Sequence, residues 1–356
     1  MTSARGDRGR TAHWPEAWTV PARGGTDVIE IVAPPCLIAG TANEPLAQAI
    51  AGELGIGLME RRIETFPDGE AYVRLGASVR GHDAYIIQPT SAPVNDNLVE
   101  LALLIDTVRR ASAGRVTAVI PYYGYARQDR KFIGREPISA KLVANLITAA
   151  GADRVVAVDL HSPAIQGFFD IGMDHLTAIP LLTDHLKPQL LPDSVVVSPD
   201  TGGVKRADLY ARLLNLPLAI LHKKRASAHE VQMQAVIGDI KGKHAIIVDD
   251  IIATGGTICE AVETLLKGGA QPTVKIVATH PVLSGEAPRL LQHRAIGEIV
   301  VTDTVPVAPA VRAALPTLRV VSVAGLLANA IRRLHEGHSL SELFTNSEAP
   351  EAVQPI

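Results

Sequence analysis

Ile246-Ile-Val-Asp249-Asp250-Ile-Ile-Ala253-Thr254-Gly255-Gly256-Thr257 runs directly into Ile258-Cys-Glu-Ala, and this stretch decides the fold. Its order is a buried strand, two carboxylates at the strand's carboxyl end, a loop of small residues and a helix start. Small residues let backbone N–H groups close around an anion, and a helix N-terminus adds its dipole and unpaired donors. Thr254 and Thr257 offer hydroxyls, and Thr257 is the candidate helix cap. Asp249 and Asp250 sit where the hydroxyls of a sugar, or a metal bridging to them, would lie. A strand–helix turn that merely used glycines would not require two adjacent acids before them. The loop is not a Walker loop, because Gly-x-x-x-x-Gly-Lys-Ser/Thr occurs nowhere, and no Gly-x-Gly-x-x-Gly follows a strand.

Outward from this stretch, strand-like and helix-like segments alternate. Ala84-Tyr-Ile-Ile, Val116-Thr-Ala-Val-Ile, Arg154-Val-Val-Ala-Val, Val195-Val-Val and Ala245-Ile-Ile-Val are nearly continuous apolar runs. Strands buried on both faces read this way. Stretches of 3.6-residue periodicity separate them: Leu46 to Leu54, Asn97 to Ala111, Ser139 to Ala150, Val204 to Leu214 and Ile258 to Gly268. Strand then helix, repeated and punctuated by glycines, predicts parallel sheets in an α/β fold. The pattern nearly restarts after Asp174, which predicts two similar domains over 28–175 and 176–345. Each is expected to be a mainly parallel sheet flanked by helices.

Among 356 residues, 34 Lys and Arg stand against 37 Asp and Glu, a net charge of −3. A nucleic-acid binder would carry a basic excess or block, so any anionic ligand must be held by local constellations. Two cysteines, Cys36 and Cys259, cannot build a disulfide framework and point to a reducing compartment, the cytoplasm. No run reaches the roughly 18 apolar residues of a membrane span. Residues 1–27 carry Arg5, Arg8, Arg10 and Arg23, and no apolar run of signal-peptide length. Asp7, Glu16 and two prolines weaken an organelle-transit reading, so a disordered extension is expected there, with an unstructured tail over 346–356.

Aromatic residues make up only 4% of the chain, yet Tyr122, Tyr123 and Tyr125 share one turn beside Arg127-Gln-Asp-Arg-Lys131. Five consecutive polar residues fit an exposed loop over a strand's carboxyl end. Arg and Lys there can neutralise polyphosphate, and Gln can read an adenine edge or a phosphate. A solvated loop with structural tyrosines is the other reading. Phe66-Pro-Asp68-Gly69-Glu70 is, in isolation, an ordinary Asp-Gly turn. His161 follows Val155-Val-Ala-Val-Asp-Leu, and Asp200 follows Val195-Val-Val-Ser-Pro. Both lie at strand carboxyl ends, where open α/β sheets bind ligands. His222-Lys-Lys-Arg225 follows Leu218-Ala-Ile-Leu, and taken alone reads as a solvated charge run.

Together these stretches resemble the ribose-phosphate pyrophosphokinase (phosphoribosyl pyrophosphate synthetase) family. Asp249-Asp-x-x-x-Thr-Gly-Gly-Thr257 looks like the phosphoribosyl-pyrophosphate motif of type I phosphoribosyltransferase folds. Phe66–Glu70, Pro121–Lys131 with Arg135–Lys141, Asp159–Phe169, Ser198–Gly203 and Thr279–Gly285 narrow the match, which covers about residues 28–345. The resemblance implies two type I phosphoribosyltransferase-like domains and transfer of pyrophosphate from Mg-ATP to ribose 5-phosphate. It implies that Phe66, Asp68, Gly69, Glu70, Arg127 and Gln128 bind ATP, the Phe66–Glu70 turn serving a neighbouring subunit's site. His161 and Asp200 would hold Mg2+, and Lys223 and Arg225 would be catalytic residues on a mobile arm. Arg225, Asp249, Asp250, Thr254, Gly255, Gly256 and Thr257 would bind ribose 5-phosphate.

The same resemblance implies a homo-oligomer built from dimers that usually assemble into hexamers, with no nucleic-acid or membrane partner. Class I members are regulated at a subunit-interface site; Ser78, Arg80 and Ser322 match stretches near it, whereas Phe132-Ile-Gly replaces the usual small and basic residues. Two further departures are Pro67, where a serine is frequent, and Ala253, where the synthetases usually carry a carboxylate. Adenine phosphoribosyltransferases commonly have alanine at that second position. Two other readings therefore stand at this point. One is a non-catalytic regulatory homologue, for which Ala253 alone speaks. The other is a phosphoribosyltransferase, which would need neither the adenine turn nor the arm.

Overall fold

The computed structural model describes residues 17–21, 28–225 and 231–341, with the side chains of 17–21, 28–33, 223–225 and 231–235 outside that description. The first half contains β1 (Ala17–Pro21), β2 (Val28–Ala39), α1 (Glu44–Leu54), β3 (Arg61–Thr65), β4 (Ala71–Leu75), β5 (His82–Ile87), α2 (Val94–Arg110), β6 (Arg115–Ile120), α3 (Ser139–Ala150), β7 (Arg154–Val158) and β8 (Gly172–Leu176). The second contains α4 (Ile179–Leu186), β9 (Ser194–Ser198), α5 (Val204–Leu214), β10 (Leu218–Arg225), β11 (Val231–Ile237), β12 (His244–Ile252), α6 (Gly256–Lys267), β13 (Val274–Pro281), α7 (Ala287–Leu290), β14 (Ile296–Thr302), α8 (Pro309–Ala314), β15 (Leu318–Val321) and α9 (Ala324–His335). Local chemistry sets many of these boundaries. In α1, Asn43 caps the start by accepting from Leu46 N, and Gly55 ends the helix in the left-handed region at φ 69°.

The fold is α/β, with two mainly parallel sheets. The first is ordered β1-β2-β5-β6-β7-β8, and the second β11-β10-β9-β12-β13-β14-β15. Strand β1 corrects the expectation of an unstructured extension over 1–27: these five residues pair antiparallel with Val28–Val32. Trp18-Thr-Val favours extended backbone, and the outer edge of β2 offers unpaired ladder groups to it. The rest of 1–27 and the tail 346–356 lie outside the described residues. The two sheets also differ in order. The parallel strands of the first run in chain order, whereas the second reverses direction between β9 and β12. Open α/β sheets bind ligands outside the carboxyl ends of strands at such a reversal.

Because side chains alternate across a strand, each sheet buries two faces. Val119, Val156 and Val158 of the first sheet and Val196, Ile246, Val248 and Val277 of the second belong to one shared core, filled by α1, α4, α5 and α9. On the outer faces, α2 and α3 cover Ala118, Ile120, Val155 and Ala157, while α6 and α7 cover Val195, Val197, Ile247 and Ile276. Among the described residues, no helix is long and apolar enough to cross a membrane.

Polar groups lock the junction between the halves. Asp83 and His335, both fully buried, meet at 2.9 Å, with His335 Nδ1 donating to the carboxylate. Arg115 donates to Asp83 through Nε (2.8 Å) and Nη2 (2.5 Å), and to Leu334 O on α9 at 2.9 Å. Burial pushes the Asp83 carboxyl up, but the hydrogen bonds from His335 and Arg115 outweigh it and hold its pKa below the ordinary 3.8. A carboxyl with a depressed folded pKa contributes stability that is present above its unfolded pKa and lost as pH falls through the folded value. Asp83→Asn is therefore expected to destabilise by about 3–5 kcal/mol at pH 7. In urea unfolding, its deficit against wild type should shrink as pH drops below 3.8.

Candidate functional site

The site lies at the reversal. Strand β12 pairs with β9 on one side, His244 to Ile247 against Ser194 to Val197, and with β13 on the other. Its apolar half is buried, and its carboxyl end delivers Asp249 and Asp250 beside the start of α5. Arg206, in the first turn of α5, reaches both acids: Nη1 is 3.2 Å from Asp249 Oδ1 and 3.2 Å from Asp250 Oδ1. Asp249 Oδ1 also accepts from Asp250 N at 2.9 Å. From the first half, His161 Nδ1 comes within 2.7 Å of Asp250 Oδ2.

These contacts divide the two acids electrostatically. Burial pushes the Asp250 carboxyl up, but the Arg206 charge and the His161 hydrogen bond prevail, so it lies well below the usual carboxylate range. Asp249 goes the other way, raised first by burial and then by the charge of Asp250. Arg206 was missed in the sequence, although a signal was there. A cation in the first turn of a helix opposes the helix dipole, and a nearby buried anion would compensate it.

Beyond the acids, Ala253 to Thr257 form the loop into α6. Gly255 caps the helix at φ 80°, with no side-chain cap bond, so Thr257 is not the cap. The first amides of α6 receive no side-chain cap, and Thr254 and Thr257 are exposed beside them. The loop is braced from below, where Leu283 N and Ser284 N donate to Ile252 O and Ala253 O, both at 2.9 Å.

An open cleft of about 250 Å³ is lined by Ala253, Thr254, Gly255 and Thr257 of this loop, by Asp249 and Asp250, and by Arg127, His161 and Asp200. Arg127, like His161, comes from the first half. Asp200 Oδ1 accepts from Gly203 N at 3.0 Å, which shapes the turn into α5. Gln128 lines no part of this cleft; its Oε1 accepts from Ser139 Oγ at 2.6 Å at the start of α3. The tyrosines beside them are structural. Tyr123 is buried and donates to Ala140 O at 2.8 Å, and Tyr122 packs edge-on to His280 at 5.0 Å. Asp129 departs from the expected exposed run: it is buried and paired with Arg130.

The Phe66–Glu70 turn joins β3 to β4, with Gly69 at φ 95° and Glu70 N donating to Asp68 Oδ1 at 3.1 Å. Phe66 is 46% exposed, and the turn is not among the residues lining the cleft. Ser78, Arg80 and Ser322 are exposed and also lie away from it. The backbones of Lys223 and Arg225 continue β10, but their side chains lie outside the described residues. Among the described residues, no group of three or more His, Cys, Asp or Glu could hold a metal ion.

Residues 35–151 match the N-terminal domain of ribose phosphate pyrophosphokinase, and residues 227–345 match the phosphoribosyl synthetase-associated domain. A ribose-phosphate pyrophosphokinase of Gloeobacter violaceus is 53% identical over 309 residues, 86% of this chain and 92% of that protein. The chain belongs to the ribose-phosphate pyrophosphokinase family. Another ribose-phosphate pyrophosphokinase, from Caldanaerobacter subterraneus subsp. tengcongensis, is 52% identical over 87% of this chain and 97% of that protein. The crystal structure of phosphoribosylpyrophosphate synthetase from Mycobacterium smegmatis superposes with a TM-score of 0.80 at 47% identity, covering 85% of this chain and 99% of that one. The two mainly parallel sheets are thus those of a pyrophosphokinase fold.

Arg206→Met leaves the buried Asp250 and the half-buried Asp249 without their cation and should destabilise the protein by about 3–5 kcal/mol in urea unfolding. Adding Asp249→Asn should recover more than half of that loss. Additive losses would mean that Arg206 does not compensate the acid pair.

Proposed function

We propose that the cleft transfers the pyrophosphoryl group of Mg-ATP to the 1-hydroxyl of ribose 5-phosphate, giving 5-phospho-α-D-ribose 1-diphosphate and AMP. One observation supports this above the others: Arg127 of the first half shares a cleft with the acid pair and the Thr254–Thr257 loop of the second. A cation for polyphosphate therefore faces a site suited to a sugar phosphate. The uncapped amides of α6, with Thr254, Gly255, Gly256 and Thr257, cradle the 5-phosphate. Asp249 and Asp250 orient the ribose hydroxyls. The 1-hydroxyl attacks the β-phosphorus, the bond from the α–β bridging oxygen to the β-phosphorus breaks, and AMP departs while the hydroxyl proton is lost to solvent. For a loose transition state, positioning and charge neutralisation carry such a step without a dedicated base. Lys223 and Arg225 are assigned to stabilising the transferring group, and Arg225 also to the sugar phosphate, by family resemblance.

The donor set suits magnesium that arrives with the nucleotide. Magnesium keeps several waters and binds through one or two carboxylates plus phosphate oxygens, so no three-residue cage is required. Asp200 offers an oxygen donor in the cleft. His161 is a weaker candidate, because its Nδ1 is engaged by Asp250 and magnesium prefers oxygen. When bound, the ion neutralises phosphate charge.

Adenine contacts are assigned to Phe66, Asp68, Gly69 and Glu70 of a neighbouring subunit, with Arg127 and Gln128 of the same chain. The exposed turn outside its own cleft supports a site completed by a second copy, within a dimer-based assembly such as a hexamer. The two free cysteines support a cytoplasmic setting.

The deciding assay supplies ATP, magnesium and ribose 5-phosphate, and resolves AMP from ADP. AMP should form one-for-one with phosphoribosyl pyrophosphate, and only with the sugar phosphate present; ADP would overturn the reaction. No product, with both ligands bound, would favour a regulatory homologue and implicate Ala253. Lys223→Ala should remove most turnover while nucleotide binding stays nearly intact, and equal loss of both would contradict its role. Ala253→Asp should change turnover or ribose 5-phosphate affinity; if neither moves, the position is a spectator.

A further inference from the structure

Asp159 ends β7 in a conformation that residues with side chains rarely adopt, φ 38°. It is buried, and its contacts run to three separate elements. Oδ2 accepts from Thr279 Oγ1 on β13 at 2.6 Å and from Ala178 N at the start of α4 at 3.0 Å. The backbone carbonyl accepts from His280 Nε2 at 3.0 Å, and the backbone N–H donates to Leu176 O at 2.8 Å. Burial lowers the pKa of His280, and a neutral ring that donates from Nε2 accepts at Nδ1 from the Thr304 hydroxyl, 2.9 Å away. The next residue is held as well, for Leu160 N donates to His175 Nε2 at 2.8 Å. Next comes His161, against Asp250.

Three consecutive residues are thus tied to partners, and those of Asp159 and His161 include β13 and β12 of the opposite sheet. We infer that Asp159 is a positioning residue, a clasp between the two sheets that sets His161 against Asp250, and that its carboxylate does not ligate a cation. Two protein donors occupy Oδ2, and Asp159 lines not the phosphate-loop cleft but a smaller cavity that shares His161 with it and holds the Arg206 cation. Its strained backbone has a role on this reading: it turns the chain so that the carboxylate faces the second sheet while His161 enters the cleft.

The inference rests on the proposed reaction, and the two fail separately. If the reaction is misassigned, wild type yields no AMP before any variant is made. If the clasp is wrong, the variants of an active wild type show it. Asp159→Ala should lower kcat by about tenfold or more while KM for ATP changes by less than about threefold. Asp159→Asn keeps an oxygen that accepts from Ala178 N and Thr279 Oγ1, so it should restore most of kcat and the wild-type magnesium half-saturation. Thr279→Val removes the donor from the other side; it should lower kcat in the same way and add nothing to Asp159→Ala, and it decides the case if the alanine variant fails to fold. An asparagine variant as slow as alanine, or a magnesium requirement raised about tenfold, would overturn the clasp. So would an alanine variant with kcat near wild type, or losses that add in the double variant.

Discussion

Two carboxylates adjacent in the chain at a strand end, one buried and one half-buried, are costly to hold together unless a cation stands against both. Asp249 and Asp250 meet that requirement through Arg206, and much of the second half is arranged so that they can. Arg206 reaches the pair because α5 follows β9, and β9 lies beside β12 although β10 and β11 intervene in the chain. A sheet in simple chain order would place β11 there and leave the acids without this partner. The strand reversal and the ion triad are therefore one feature seen at two scales. With Arg206 present, its charge and the His161 hydrogen bond hold Asp250 low against burial, while burial and the Asp250 charge raise Asp249.

The second constraint is that neither half completes the cleft. Arg127 and His161 come from the ends of β6 and β7, the acids and the phosphate loop from β12. Such a cleft holds its geometry only if the sheets do not slide against each other. The shared apolar core resists separation, but apolar packing is non-directional and says little about register. Directional bonds do that: Asp83, Arg115 and His335 at one place, and Asn43 Nδ2 donating to Asp303 O at 2.7 Å at another.

What was legible in the sequence follows from how local each signal is. Ser139–Ala150 and Val204–Leu214 appear with the bounds their periodicity gives, because an amphipathic helix carries its whole pattern within itself. Arg154–Val158 does likewise, as an apolar run between turn residues. The acid pair and the glycine loop were legible because their chemistry is contiguous. Strand order was not, since it depends on pairings between segments far apart in the chain. Nor was the role of Tyr122 and Tyr123, whose burial under His280 and Phe169 is a tertiary fact. The first turn of α5 shows the boundary most clearly. Arg206 is one of two adjacent basic residues there, and only the fold shows that it reaches both acids while Lys205 is exposed.

Ala253 acquires a meaning in this setting. Along the cleft, charge is graded: the acid pair with its compensating arginine lies at one end, and the uncapped amides of α6 at the other. Ala253 stands between them, half-buried, with its carbonyl accepting from Ser284. A carboxylate at this place would carry negative charge toward the amide end and oppose the anion bound there. Without it the gradient is steeper, and a sugar phosphate in the proposed reaction has one favourable orientation, phosphate on the amides and hydroxyls on the acids. The alanine thus sacrifices a possible ribose contact while sharpening the polarity that orients the acceptor, so its effect on affinity and its effect on turnover need not share a sign.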